Sequence, residues 1–244
     1  MNGEHRIRVC MTSVSSIYMM LRDSPHEWRR YLDLARSVIA HLDNTTFMVQ
    51  PHRSAEQTWL VRGLQRLALA DVDSGEVMDI SNWCTRQWML LIQRQPHNTE
   101  ALNGIGRSWL ARAQPALKRI HRAEGTSSSN SASSQLSIPS ITAGEDERLS
   151  AAALAQAELR SGTADYVQAR HFLQPATEYF ERAIAAATAQ RALSGGLLAK
   201  AAEAYMSLGN ASSPRVNEQY FRRALILLRA AAAIPGYALG RYLQ

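Results

Sequence analysis

Apolar residues recur along most of this chain at spacings of three and four positions, which is the spacing of one face of an α-helix. Valine and isoleucine, which favour strands, are too scattered to give the alternating pattern of a β-sheet. The sequence therefore predicts an all-α protein. We predict helices at about residues 12–22, 26–42, 54–71, 78–95, 99–123, 146–162, 168–191, 194–209 and 216–233, with a short tail helix after Pro235.

Prolines indicate where some of these helices begin. Pro115, Pro175 and Pro214 lie near predicted helix starts, where a missing amide hydrogen costs nothing. We therefore expect the helix over 99–123 to be broken at Pro115.

The segment from Pro96 to Trp109 has the most informative spacing of side-chain sizes. After the proline, Leu102, Ile105, Gly106 and Trp109 supply a large, an apolar, a small and an aromatic residue in turn. A small residue is required where two helices cross at close approach, because a longer side chain would wedge them apart. Gly106 is therefore predicted to lie at a helix crossing.

A second pattern, small–large–small or apolar at spacings of four and three, is repeated in other helices. It occurs as Cys84, Trp88 and Leu91; as Ala116, Ile120 and Ala123; as Ala176, Phe180 and Ala183; and as Ala224, Leu228 and Ala231, with a weaker case at Ala35, Ile39 and Leu42. The two patterns together resemble the tetratricopeptide repeat, a helical hairpin that stacks on its neighbours. This resemblance implies an α-α superhelix, a solenoid of four to five helical hairpins.

Composition divides the chain further. Residues 1–53 are predicted to form N-terminal helices, with an atypical first hairpin as one option, and 54–123 to form repeat-like hairpins. The run TSSSNSASS at 126–134 is of low complexity, so we expect a flexible linker over 124–145. Further hairpins and a tail are predicted over 146–244.

The charge of the chain is compatible with two interpretations. Formal net charge is +6, and almost all of the positive charge is arginine, since Lys118 and Lys200 are the only lysines. Such an arginine content fits a GC-rich genome as well as nucleic-acid binding. The densest basic cluster, Arg112, Lys118, Arg119, His121 and Arg122, keeps RNA or DNA binding through an arginine-rich face as the alternative function.

Several patterns bear on the compartment. Cys10 and Cys84 imply no disulfide framework, which favours a reducing, intracellular location, cytoplasmic or nuclear. We expect no membrane insertion, because no segment reaches the roughly eighteen apolar residues that a spanning helix needs. The basic segment 1–22 fits either a mitochondrial presequence or a first packing helix built on Ile17, Met20 and Leu21.

No motif indicates catalysis. The seven histidines are scattered and match no metal-ligand spacing, and neither a nucleophile elbow nor a Walker lysine is present. We therefore expect no enzyme activity, no metal and no cofactor.

The resemblance to tetratricopeptide repeats implies that a partner segment lies in a concave groove lined by the first helix of each hairpin. The corresponding residues here are Leu60, Leu64, Leu67, Asn103, Arg107, Leu110, Gln156, Arg160, Glu203 and Met206. Leucines followed by arginines suit a peptide or helix segment with apolar anchors and acidic flanks. The alternative is that the chain's own N-terminal helices or tail cover part of this stripe.

The expected function is thus a non-catalytic protein-interaction scaffold or assembly factor. The sequence predicts neither the identity of the partner nor the oligomeric state.

Overall fold

The computed structural model describes residues 3–71, 75–131 and 143–240 of the chain. Its α-helices are α1 (Gly3–Asp23), α2 (Leu32–Asp43), α3 (Ser54–Ala68), α4 (Met78–Arg94), α5 (Thr99–Ser131), α6 (Ala143–Ser161), α7 (Ala164–Ala189), α8 (Gly195–Asn210) and α9 (Asn217–Ala232). Short 3-10 helices lie at Pro25–Tyr31, Phe47–Val49 and Pro51–Arg53. No strand occurs among the described residues, and the prediction of an all-α fold is confirmed.

Two predicted features of the helices were wrong. The break at Pro115 does not occur, because α5 continues through it. The proline ring is exposed, while Ala113 and Ala116 beside it are buried, so packing outweighs the lost hydrogen bond. The tail helix is absent from 235–240, where the chain makes a turn at Gly236 with φ of +76°.

The predicted linker at 124–145 falls partly on described residues. Of these, 124–131 continue α5 and 143–145 begin α6, since adding a residue to an existing helix costs little. Residues 132–142 lie outside the described residues.

The chain divides into two compact units, each made of two segments. Unit 1 comprises Met1–Arg112 and Glu178–Leu193, and unit 2 comprises Ala113–Thr177 and Ser194–Gln244. Helices α5 and α7 therefore each contribute residues to both units.

Close helix crossings at glycines organise unit 1. A β-carbon added at Gly63 would lie 2.5 Å from Val14 Cγ1 and 2.8 Å from Tyr18 Cε2, so α1 rests directly on the backbone of α3. One added at Gly104 would lie 2.5 Å from the Trp88 indole nitrogen, and Gly106 meets the Phe180 ring in the same way at 3.0 Å. The prediction that Gly106 lies at a helix crossing is confirmed.

Helix α1 is part of the unit 1 core. It begins at Gly3, nine residues before the predicted start near residue 12. The side chains that it buries are Ile7, Cys10, Val14, Ile17 and Met20. The Tyr18 hydroxyl donates a hydrogen bond to the Trp59 carbonyl at 3.1 Å, which fixes α1 against α3. The structure therefore uses this segment as a packing helix.

Buried side-chain amides hold the irregular parts of unit 1. Gln57 Nε2 donates to the Phe47 and Gln50 carbonyls, both at 2.7 Å, and these carbonyls also accept longer turn bonds from the amides of Gln50 and Arg53. Gln65 Nε2 donates to the Gly104 carbonyl at 2.7 Å and so ties α3 to α5. These bonds give the buried amide groups of Gln57 and Gln65 their acceptors.

Unit 2 contains the closely packed pair α8 and α9. The buried face of α8 is formed by small side chains such as Ala201 and Ala202, and the Phe221 ring lies against Gly209. Arg170 Nη1 donates to the Ser161 carbonyl at 2.7 Å and to the Ala211 carbonyl at 2.6 Å. A cation there satisfies carbonyls at the C-terminal ends of α6 and α8.

The crossing at Gly63 gives the first prediction. In Gly63→Ala the added methyl group must displace Val14 and Tyr18, which the Tyr18–Trp59 hydrogen bond holds in place. We expect a loss of about 1–3 kcal/mol in unfolding free energy from overpacking. Chemical denaturation of the purified protein measures it.

Gly125→Ala is the matched control, because Gly125 also lies within a helix but no atom lies within 4 Å of an added β-carbon. This variant should be as stable as wild type or more stable by up to about 1 kcal/mol, since alanine favours helix over glycine. A Gly63→Ala protein as stable as the control would contradict the crossing.

Candidate functional site

The structure buries four of the predicted groove residues. Leu60, Leu64 and Leu67 are 0% exposed and Leu110 is 5% exposed, so these side chains belong to the interior and present no surface to a partner. For the three leucines of α3, the cause is that α1 and α4 pack on this helix, with α1 crossing it at Gly63. This packing agrees with the alternative that the chain's own N-terminal helices cover part of the groove.

The other predicted residues are distributed over both units. Asn103 and Arg107 are half-buried on α5 in unit 1. In unit 2, Gln156 and Arg160 are exposed on α6, whereas Glu203 and Met206 are half-buried on α8. The Glu203 carboxylate already accepts a hydrogen bond from Lys200 Nζ at 2.5 Å.

Part of the basic cluster is used in contacts within each unit. Arg112 in unit 1 donates to Glu76 Oε1 at 2.8 Å and to Asn82 Oδ1 at 3.0 Å. Arg119 in unit 2 donates to Asp165 Oδ1 at 2.7 Å and to Gln168 Oε1 at 2.6 Å. Since Arg112 and Arg119 are already bonded to acceptors, the cluster has less charge to offer to phosphates than its sequence implies.

Helix α9 presents a different surface in unit 2. Ala224, Leu227 and Ala231, at helical spacing, form its buried face. The opposite side carries what we term the α9 outer face: Arg222, Leu225, Ile226 and Arg229, all exposed. At 3.6 residues per turn these four residues lie within roughly 100° of one another around the helix axis. Leu225 and Ile226 are 47% and 49% exposed.

A shallow groove of about 530 Å³ opens at the start of this face. Its lining includes Arg215, Val216, Glu218, Arg222 and Ile226. Arg222 Nη2 donates to Glu218 Oε1 at 2.7 Å, but both side chains are largely exposed, so this ion pair contributes little to stability. The groove thus combines apolar side chains with an excess of positive charge.

Unit 1 has a larger cleft of about 720 Å³, which is of mixed polarity. Trp59, Arg62, His97, Glu100 and Gln190 are among its lining residues. Arg62 Nη1 lies 3.4 Å from Glu100 Oε2, and Gln190 Nε2 donates to the His97 carbonyl at 2.8 Å. Because its cation and anion are paired with each other, the cleft does not indicate the charge of a ligand.

Thiol and metal chemistry find little support among the described residues. Cys10 and Cys84 are free thiols, and burial raises the pKa of each, so neither is poised as a thiolate nucleophile. No group of three or more potential metal ligands occurs among the described residues. Within that same part of the chain, each helix is too short or too polar to cross a bilayer.

Comparison of the chain with protein-family models, with curated proteins and with solved structures finds no match. The resemblance to tetratricopeptide repeats therefore rests on the residues alone and stays a prediction. The candidate site is therefore defined by the positions and exposure of its side chains.

The α9 outer face was missed by the sequence patterns, although a signal for it existed. Residues 225–228 are Leu-Ile-Leu-Leu, a run of four apolar residues that covers more than one helical turn. A helix packed on one side cannot bury all four of them, so at least one must face outward. The repeat pattern assigned Leu228 and left its neighbours without a role.

The two sides of α9 should respond differently to the same substitution. Leu225→Glu places a carboxylate in water beside two arginines, so we expect unfolding free energy to change by less than about 0.5 kcal/mol. Leu227→Glu, at a position 3% exposed, buries a charge and should strongly destabilise or unfold the protein. Thermal unfolding followed by circular dichroism distinguishes them. Equal destabilisation by both would show that Leu225 is not at the surface.

Proposed function

We propose that this chain is a non-catalytic protein-interaction module, a helical scaffold that binds a partner protein through the α9 outer face. The observation that carries the proposal is the exposure of Leu225 and Ile226 side by side, between Arg222 and Arg229. A cluster of large apolar side chains rimmed by polar groups is typical of protein-binding surfaces. Arginine is also enriched among the residues that contribute most of the binding energy at interfaces.

Cationic and aromatic side chains elsewhere in the described residues favour a protein partner over a nucleic acid. Arg112 and Arg119 already bind carboxylates within their own units. Trp83 and Trp88, which could stack on bases if exposed, are buried at 2% and 1% exposure. Leu225 and Ile226 can pack against apolar side chains of another protein, whereas a phosphate backbone offers them no apolar contact.

A recovery experiment tests this proposal. Wild-type protein and Leu225→Glu are immobilised separately and exposed to a lysate of cells that express the chain. We expect wild type to recover one specific protein and Leu225→Glu to lose at least about nine-tenths of it, because a carboxylate would have to be desolvated at the centre of the contact. Quantitative mass spectrometry of the recovered proteins is the readout.

Met19→Glu provides the matched control. Met19 is 57% exposed on α1, so the same change of chemistry occurs on an exposed helical surface of unit 1. This variant should recover the partner as wild type does, with or without nuclease treatment. Equal recovery by Leu225→Glu, or recovery that disappears with nuclease, would contradict the proposal.

A further inference from the structure

We infer that the partner segment is an amphipathic helix whose contact face carries acidic residues seven positions apart with apolar residues between them. This inference rests on the proposed function, because it specifies what occupies the α9 outer face. Four arguments support it. They concern the spacing of the residues on that face, the internal hydrogen bonding of the α9 backbone, the positive charge of the face, and the like charges that a two-fold self-pairing would bring together.

The spacing of the face suits a second helix. Arg222 and Arg229 are seven residues apart, and Leu225 and Ile226 lie between them. Side chains at steps of three and four form the seam along which two helices pack side by side. At 1.5 Å per residue the two arginine positions are about 10.5 Å apart along the axis, a span that residues i and i+7 of a neighbouring helix match.

The backbone of α9 disfavours an extended partner. A helix satisfies its own amide and carbonyl groups, so the middle of α9 has no backbone edge to which a strand could bond. An extended peptide laid over Leu225 and Ile226 would lose water from its amide groups and gain no acceptor there. A helical partner bonds its own backbone and presents only side chains.

The positive charge of the α9 outer face favours acidic contact residues on the partner. A purely apolar surface over Arg222 and Arg229 would take two guanidinium groups out of water, and of these Arg222 is bonded to the Glu218 carboxylate. Removing such charges from water without further acceptors is strongly unfavourable. Arg215 lines the same groove, where Glu218 is the only carboxylate among the lining residues, so the surface has positive charge to be matched. Carboxylates on the partner match it and can accept bidentate hydrogen bonds from arginine.

Symmetry disfavours a second copy of this chain as the occupant. In a two-fold pairing the same patch meets itself. Two α9 outer faces would then place Arg222 and Arg229 of one copy against the same arginines of the other. Like charges brought together at a contact are repelled, and the nearby Glu218 carboxylate is already bonded to Arg222 of its own helix.

Three synthetic helical peptides test the inference with the full-length protein. They share one amphipathic sequence with leucine and alanine at the contact positions, and they differ only in two residues seven apart, which are Glu, Gln or Lys. We expect the Glu peptide to bind at least about tenfold more tightly than the Lys peptide, with a difference that shrinks as salt is added. Fluorescence anisotropy gives the dissociation constants.

A charge-reversed protein supplies the second arm. The double variant Arg222→Glu with Arg229→Glu should prefer the Lys peptide. Arg8→Glu with Arg86→Glu changes net charge by the same amount at exposed positions of unit 1 and should keep the wild-type preference. Reversal in the first variant alone supports the inference.

The remaining outcomes separate the inference from the proposed function. A Gln peptide that binds as tightly as the Glu peptide, and is lost with Leu225→Glu, overturns the acidic partner but agrees with a protein-binding α9 face. Failure of the Glu peptide to bind overturns the inference, and the recovery experiment with Leu225→Glu then decides the proposed function separately. A preference for Glu that persists in the charge-reversed variant also overturns the inference.

Discussion

The structure of unit 1 depends on helices that approach each other too closely for any side chain larger than hydrogen. Gly63, Gly104 and Gly106 each lie under a large neighbour, and the rings of Trp88 and Phe180 fill the space that a β-carbon would need. Because these rings are almost fully buried, they cannot move aside at low cost. The leucine stripe of α3 is interior as well, so the recognition surface that we propose lies elsewhere.

Much of the fold could be predicted from the sequence because helical periodicity depends only on local spacing. The predicted helices at 54–71, 78–95, 194–209 and 216–233 agree with α3, α4, α8 and α9 to within three residues at each end. The start of α5 at Thr99 was predicted, but its continuation through Pro115 was not, since proline disfavours a helix interior and only tertiary burial of the neighbouring residues favours it. Propensity is a local quantity, whereas that burial depends on elements distant in sequence.

The candidate site was less predictable for a related reason. Periodicity shows that one face of a helix is apolar, but it does not show whether another part of the chain or another molecule covers that face. Leu64 was predicted to contact a partner and instead lies in the core. Leu225 belongs to an apolar run too long for one helical face, and its exposure depends on how α9 packs against α8. Unit 2 therefore carries the exposed face that we propose for recognition, with arginines that would restrict what can bind it.

Photo-crosslinking in intact cells tests whether the α9 outer face contacts a partner protein. A photoreactive amino acid replaces Leu225 in one protein and Met19 in another, both at exposed positions. We expect position 225 to give one dominant protein adduct, mapped to an acidic helical segment, and position 19 not to give this adduct. Adducts to nucleic acid, or the same protein adducts from both positions, would contradict recognition through the α9 outer face.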